Sequence, residues 1–191
     1  MNYENKLTIA FEGGRKLNID EVIKQLRGNK RFKLKEPSGI PKVRDRHRLP
    51  EDVERFYTLC GGMECFWDYP EEYTSDDAGP MPIRILSPEE VVHANLSKFG
   101  EEYEDDISSD WYLIADAYNG DYLSVDCGQK RNGWCYQSFW ETYAHKGNSP
   151  IIAKSLTELL VHLLEYQGDY FYWLDEDGAV GTFAGYGDAY Q

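Results

Sequence analysis

Positive charge is scarce over most of this chain. Of 191 residues, 20 are Lys or Arg and 34 are Asp or Glu. No Lys or Arg lies between Glu64 and Ile83, and none follows Lys154. Residues 1–50 hold 13 basic and 6 acidic side chains, whereas residues 51–191 hold 7 and 28. A basic segment of net +7 therefore precedes an acidic body of net −21. Such a body repels phosphate backbones, which argues against nucleic acid and favours a basic protein as partner. The competing reading is that the acids only maintain solubility. Long apolar runs are also missing. Without a run of about 18 apolar residues, a membrane-spanning helix is not expected. Met1–Arg15 has no apolar stretch of signal-peptide length, so the expected location is the cytoplasm.

Metal-binding and redox patterns are absent as well. The four cysteines, Cys60, Cys65, Cys127 and Cys135, form no Cys-x-x-Cys pair and are too few for a disulfide scaffold. His47, His93, His145 and His162 are not spaced as zinc ligands. Neither Gly13-Gly14 nor Gly185-Tyr186-Gly187 is followed by the Lys-Ser/Thr of a phosphate loop. No metal, no cofactor and no catalytic residue are expected, although a carboxylate-based hydrolase stays open because distances between acids are invisible in a sequence.

What is present is a core. Hydrophobic residues make up 41% and aromatics 15%, enough for one packed domain. Apolar spacing predicts a helix over Ile19–Arg27 and a second from Leu49-Pro50-Glu51-Asp52 to Cys60, closed by Gly61-Gly62. Capping-box patterns predict a third from Ser87-Pro88-Glu89-Glu90, carrying Val91, Val92 and Leu96, and a fourth from Ser155, with five leucines facing inward. Asn119-Gly120 between Trp111–Ala117 and Asp121–Cys127 is a strong hairpin signal. Trp134–Phe139 extends it to a meander, and Met63–Tyr69, Met81–Leu86 and Tyr170–Leu174 are further strands. Strands grouped between helices predict an α+β fold: a mainly antiparallel sheet of about five or six strands, helices mostly on one face. Residues 1–48 read as a basic extension with one helix, packed on a main domain of residues 49–191.

Candidate partner contacts are aromatics interleaved with acids. Trp67, Asp68, Tyr69, Glu71, Glu72, Asp76 and Asp77 share one Pro- and Gly-containing stretch. Rings there would supply anchors and carboxylates steering. A second acidic run is Glu101, Glu102, Glu104, Asp105 and Asp106. The plain alternative for both runs is solvated charge.

At the second helix the residues become a recognisable pattern. Leu49-Pro50, Phe56 on the helix and the Gly61-Gly62 pair resemble the hallmark of the SUKH superfamily. Trp111–Ala115, then Gly120–Asp126 with Asp126 ending its strand, Gly133–Tyr136, and Ser155–Leu160 are similar to its later elements, in order. The resemblance implies an α+β binding module of the kind found in yeast cell-wall assembly regulators and bacterial toxin-immunity proteins, with no oligomeric state implied. The expectation is therefore an immunity-type protein that neutralises a basic, nuclease-like toxin through an acidic face. The alternative is a regulatory scaffold related to cell-wall assembly. Leu49, Pro50, Phe56, Gly61, Gly62 and Asp126 are expected to be scaffold, with Asp126 capping the turn after its strand.

Overall fold

The computed structural model describes residues 11–12, 15–66, 83–117, 120–168, 172–174 and 186–190. Among these, a two-stranded ribbon, β1 (Phe11–Glu12) with β2 (Arg15–Lys16), precedes α1 (Ile19–Gly28). Asn18 starts that helix: its side chain accepts the Glu21 N–H at 3.1 Å, and the Glu21 carboxylate accepts the Asn18 N–H at 2.9 Å. Ile19, Val22, Ile23 and Leu26 form the buried stripe the spacing predicts. The chain then enters β3 (Phe32–Leu34), α2 (Glu51–Leu59), β4 (Met63–Cys65) and β5 (Ile83–Ile85). The remaining elements are α3 (Ala94–Phe99), β6 (Trp111–Asp116), β7 (Tyr122–Asp126), β8 (Cys135–Ser138), β9 (Ile151–Ala153) and α4 (Leu156–Glu165).

Strands β3 to β9 form one antiparallel sheet in sequence order, seven strands rather than the expected five or six. The two additions, β3 and β9, are three residues each and too short to show alternation. β3 is set by its partner: Lys33 and Lys35 reach Glu64 of β4 at 3.9 and 3.8 Å. Residues ahead of Leu49 therefore supply both an edge strand and α1, whose apolar stripe joins the same core cluster as α2 and α4.

Helices α1, α2 and α4 pack on one another over the sheet face that presents Met63, Cys65, Ile83 and Ile85, while α3 lies against β6. α4 is fixed at its start. Ser155 Oγ accepts the Glu158 N–H at 3.1 Å, and Asp52 from α2 accepts the Thr157 N–H at 2.7 Å and its hydroxyl at 3.0 Å. Leu156, Leu159, Leu160, Leu163 and Leu164 are buried below. Each contributes about 1.5–3 kcal/mol of hydrophobic stabilisation.

Two expectations fail. Ser87-Pro88-Glu89-Glu90 makes its capping bonds, with Glu90 accepting the Ser87 N–H and hydroxyl at 2.9 and 2.5 Å. Yet it closes one turn and no helix. The β-branched Val91 and Val92 run extended; Val92 O accepts the Leu113 N–H at 3.0 Å and His93 bridges Tyr112. Pairing with β6 outweighs the local helix signal, so α3 begins only at Ala94, and Val92 and Leu96 are exposed. The strand expected over Tyr170–Leu174 is instead a 3-10 turn, Tyr172–Leu174. It turns the Tyr172 ring inward, where its hydroxyl donates to Ile152 O at 2.8 Å.

The glycine pair after α2 is a close backbone approach. Gly61 N–H donates to Lys35 O at 3.0 Å, and a Cβ on Gly61 would fall on the Glu36 carbonyl. Gly62 has φ +117°, with Ile85 O only 2.9 Å from where its Cβ would be. Gly61→Ala is expected to cost about 2–3 kcal/mol, the upper range for overpacking. Gly28→Ala, which meets nothing within 4 Å, serves as control. Urea unfolding of the two variants checks this; equal midpoints would mean the segment at Glu36 simply moves aside.

Candidate partner-binding surface

α3 ends at Gly100, whose φ of +74° closes the helix and turns the chain into the acidic run 101–106. The structure divides that run. Glu102, with its side chain 14% exposed, pairs with Arg44 and lies 3.4 Å from Arg46. Asp106 accepts the Ser108 N–H at 2.8 Å and caps a 3-10 turn, Ile107–Asp110. These two carboxylates are bound to structure. Glu101, Glu104 and Asp105 face solvent, Glu104 being in reach of Arg46 at 3.2 Å and Glu101 accepting the Tyr103 hydroxyl at 2.9 Å. Basic residues ahead of Leu49 thus offset part of the acidic surface.

Beside these acids lies an aromatic patch that the sequence reading missed. Trp140 is 60% exposed, Phe99 48% and Tyr103 42%. The Phe99 ring centroid lies 5.5 Å from Tyr103, 6.2 Å from Trp140 and 5.7 Å from the buried Tyr143. Under them sits Lys98, its ammonium 4.9, 5.3 and 5.7 Å from the ring centroids of Tyr143, Trp140 and Tyr122. Burial pushes the Lys98 pKa down to about 8, partly countered by Asp121. Asp121 also accepts the Trp140 backbone N–H at 3.0 Å. Phe99 and Tyr103 alternate with acids just as Trp67 and Tyr69 do, so that half of the signal was present; Trp140 joins them only through the fold.

On the other side of the run is a cavity of about 530 Å³ bounded by His47, Asp110, Asp126 and Arg131. His47 links the basic segment to the sheet. Its Nε2 lies 2.9 Å from Asp110 and 3.1 Å from Arg46 Nε, its Nδ1 is 2.9 Å from the Tyr112 hydroxyl, and that hydroxyl accepts the Arg44 N–H at 3.1 Å. Burial lowers the His47 pKa, with Asp110 pulling the other way. His93 stacks on His47 at 6.0 Å and is lowered by burial too. Asp126 accepts the Gly128 N–H at 2.7 Å, an Asx turn after β7. Burial raises its pKa to about 7.

Nucleophilic chemistry has little support among the described groups. All four cysteines are buried and free. Burial pushes Cys60 up to about 11, and Cys127 and Cys135 higher, so these thiols stay protonated. Among the described residues no three His, Cys, Asp or Glu side chains converge to hold a metal, and no helix is long and apolar enough to cross a membrane. Trp67, Asp68, Tyr69, Glu71, Glu72, Asp76 and Asp77 lie outside the described residues. Phe56 is fully buried, Leu49 and Pro50 lead into α2, and Gly61 and Gly62 are the close approach described above.

Residues 46–162 match the SMI1 / KNR4 family (SUKH-1), and the chain belongs to that family. It is also similar to a protein named Immunity protein YokJ from Bacillus subtilis (strain 168), 35% identical over 175 residues, spanning 92% of this chain and 97% of that relative. No solved structure matches.

Proposed function

We propose that this chain is an immunity-type protein of the bacterial cytoplasm, a non-enzymatic module that neutralises a basic, nuclease-like toxin by covering its phosphate-binding surface. The observation that carries this reading is the likeness to an immunity protein along nearly the whole chain. The charge split supports it. A body of net −21 over residues 51–191 attracts a surface built for phosphate. The solvent-exposed acids Glu101, Glu104 and Asp105, and the run Glu71, Glu72, Asp76 and Asp77, are the proposed steering groups. Among the described residues, the cavity beside Asp126 brings Asp110 and Asp126 together, as a carboxylate hydrolase would need. Against that use, Asp126 is buried on the Gly128 N–H and Asp110 is engaged by His47.

The test is co-expression with a panel of basic nuclease toxin domains, followed by binding kinetics on whichever one is neutralised. The on-rate is expected to fall at least about tenfold as salt is raised. Charge reversal of Glu71, Glu72, Asp76 and Asp77 to Lys should weaken binding without unfolding the domain, as should reversal of Glu101, Glu104 and Asp105. Unchanged binding in both sets, with binding indifferent to salt, would return the acids to a solubility role. Loss of the chain altering cell-wall assembly, with no toxin neutralised, would favour the regulatory scaffold.

A further inference from the structure

The Phe99–Tyr103–Trp140 patch is a poor surface for a protein that meets only water. Three large rings and Leu96 stand open together, between 41% and 60% exposed. Exposed apolar patches of this kind, rimmed by polar groups, mark interaction sites. Carboxylates stand at the rim here. Glu101 holds the Tyr103 hydroxyl, Asp121 holds the Trp140 backbone N–H, and Glu141 follows Trp140 in the chain. The inner side of the patch is fixed in advance: Lys98 lies under Tyr143 and Trp140, and Tyr143 donates its hydroxyl to Asn95 at 2.6 Å. Rings ordered before contact lose less conformational freedom on binding.

From this geometry we infer that the patch is the anchor point for an arginine-bearing segment of a basic protein partner. The assignment rests on the basic-partner reading above and names the contact that reading leaves open. Arginine fits better than lysine on physical grounds. Its planar guanidinium stacks on an indole or phenyl face while its N–H fork meets carboxylates at the ring margin. Ammonium is more strongly hydrated and gains only a point contact. The central rings, Trp and Tyr, are the residue types that dominate binding energy when a partner covers them. Acids farther along, Glu104 and Asp105, act before contact by steering; the rings act after it by holding.

The experiment uses the full chain and defined probes. Hexa-arginine, hexa-lysine and hexa-glutamate are titrated at about 0.15 M salt, with the Trp140 indole N–H followed by NMR. Hexa-arginine should shift that signal saturably, hexa-lysine more weakly, and hexa-glutamate not at all. Trp140→Ala should raise the hexa-arginine Kd at least about fivefold, while Ile40→Ala, an exposed apolar residue elsewhere, leaves it unchanged. Shifts spread along the acidic residues with a silent Trp140 indole would overturn the assignment. So would equal affinity for hexa-lysine, or self-association that Trp140→Ala abolishes. The toxin reading fails separately. If no toxin is neutralised but the peptide result holds, the patch stands and the partner class changes. If a toxin is neutralised and Trp140→Ala binds it as well as the unaltered chain, the patch is wrong and the toxin reading stands. A toxin that does use the patch should lose about 30-fold in affinity with Trp140→Ala.

Discussion

Trp111→Ala is expected to remove about 3–5 kcal/mol of stability, the range for deleting a buried indole. Trp111 opens β6 with no exposed surface. Its ring stacks on Tyr136 at 4.2 Å and 15°, and meets Tyr143 edge-on at 5.7 Å and 88°. Truncation removes both ring contacts and leaves a void that the neighbouring β7, itself paired with β6 and β8, can close only in part. Against a total stability of about 5–15 kcal/mol, the loss should be visible as a large drop in urea midpoint with an unchanged slope. Trp111→Phe refills much of the space and should recover more than half of it. A loss below about 1 kcal/mol would show that Tyr136 and Tyr143 collapse together without cost.

The same substitution reaches the surface patch by a short path. Tyr143 is the ring that Trp111 supports from inside and that Phe99 and Lys98 touch from outside. In conditions where Trp111→Ala is still folded, the Trp140 indole signal should broaden, because the ring set beneath it has lost its backing. Trp111→Phe should leave that signal sharp. Packing of the sheet and preparation of the binding face are thus one arrangement.

Much of this arrangement can be read in the sequence where local chemistry and tertiary pairing agree. The leucine stripe and Ser155 cap of α4 and the β6–β7 hairpin are local signals that the tertiary structure leaves intact. The Ser87 capping box misleads because the same bonds serve a single turn, and the choice is made by an unpaired stretch of β6 far along the chain. Strands β3 and β9 are legible only from their neighbours. For the surface, acids and rings at 99–106 share one segment, but Trp140 comes from beyond β8, and no spacing rule unites them. Nor could the sequence say that Glu102 and Asp106 are committed to Arg44, Arg46 and the 3-10 turn.

Asp126→Asn is expected to change how stability depends on pH more than it changes stability at any one acidic pH. Asp126 is 5% exposed, and burial raises its pKa to about 7; nearby Asp110 adds to the rise, while the Gly128 N–H and Arg131 pull the other way. In the unfolded chain the group ionises near about 3.9. Below about pH 4 both states hold the proton, so nothing is lost or gained. Between there and pH 7 the unfolded state sheds its proton while the folded state keeps it, and each pH unit favours unfolding by about 1.4 kcal/mol. The penalty is complete above 7 and is on the order of 4 kcal/mol. Asparagine keeps an oxygen for the Gly128 N–H and has no proton to lose. The variant should therefore match the original near pH 4.5 and exceed it by about 2–4 kcal/mol near pH 8. His47 and His93, lowered by burial, act oppositely: stability falls as pH drops below about 6.5, the ordinary histidine range. They do so in both proteins and cancel in the difference. Urea unfolding of the pair across that pH range measures the effect. A gap that does not widen with pH would place the Asp126 carboxyl in contact with water and ionised throughout. A widening gap would mean that this carboxyl holds its proton well above the usual carboxylate range, so its part is to shape the turn beneath the surface rather than to attract what binds there.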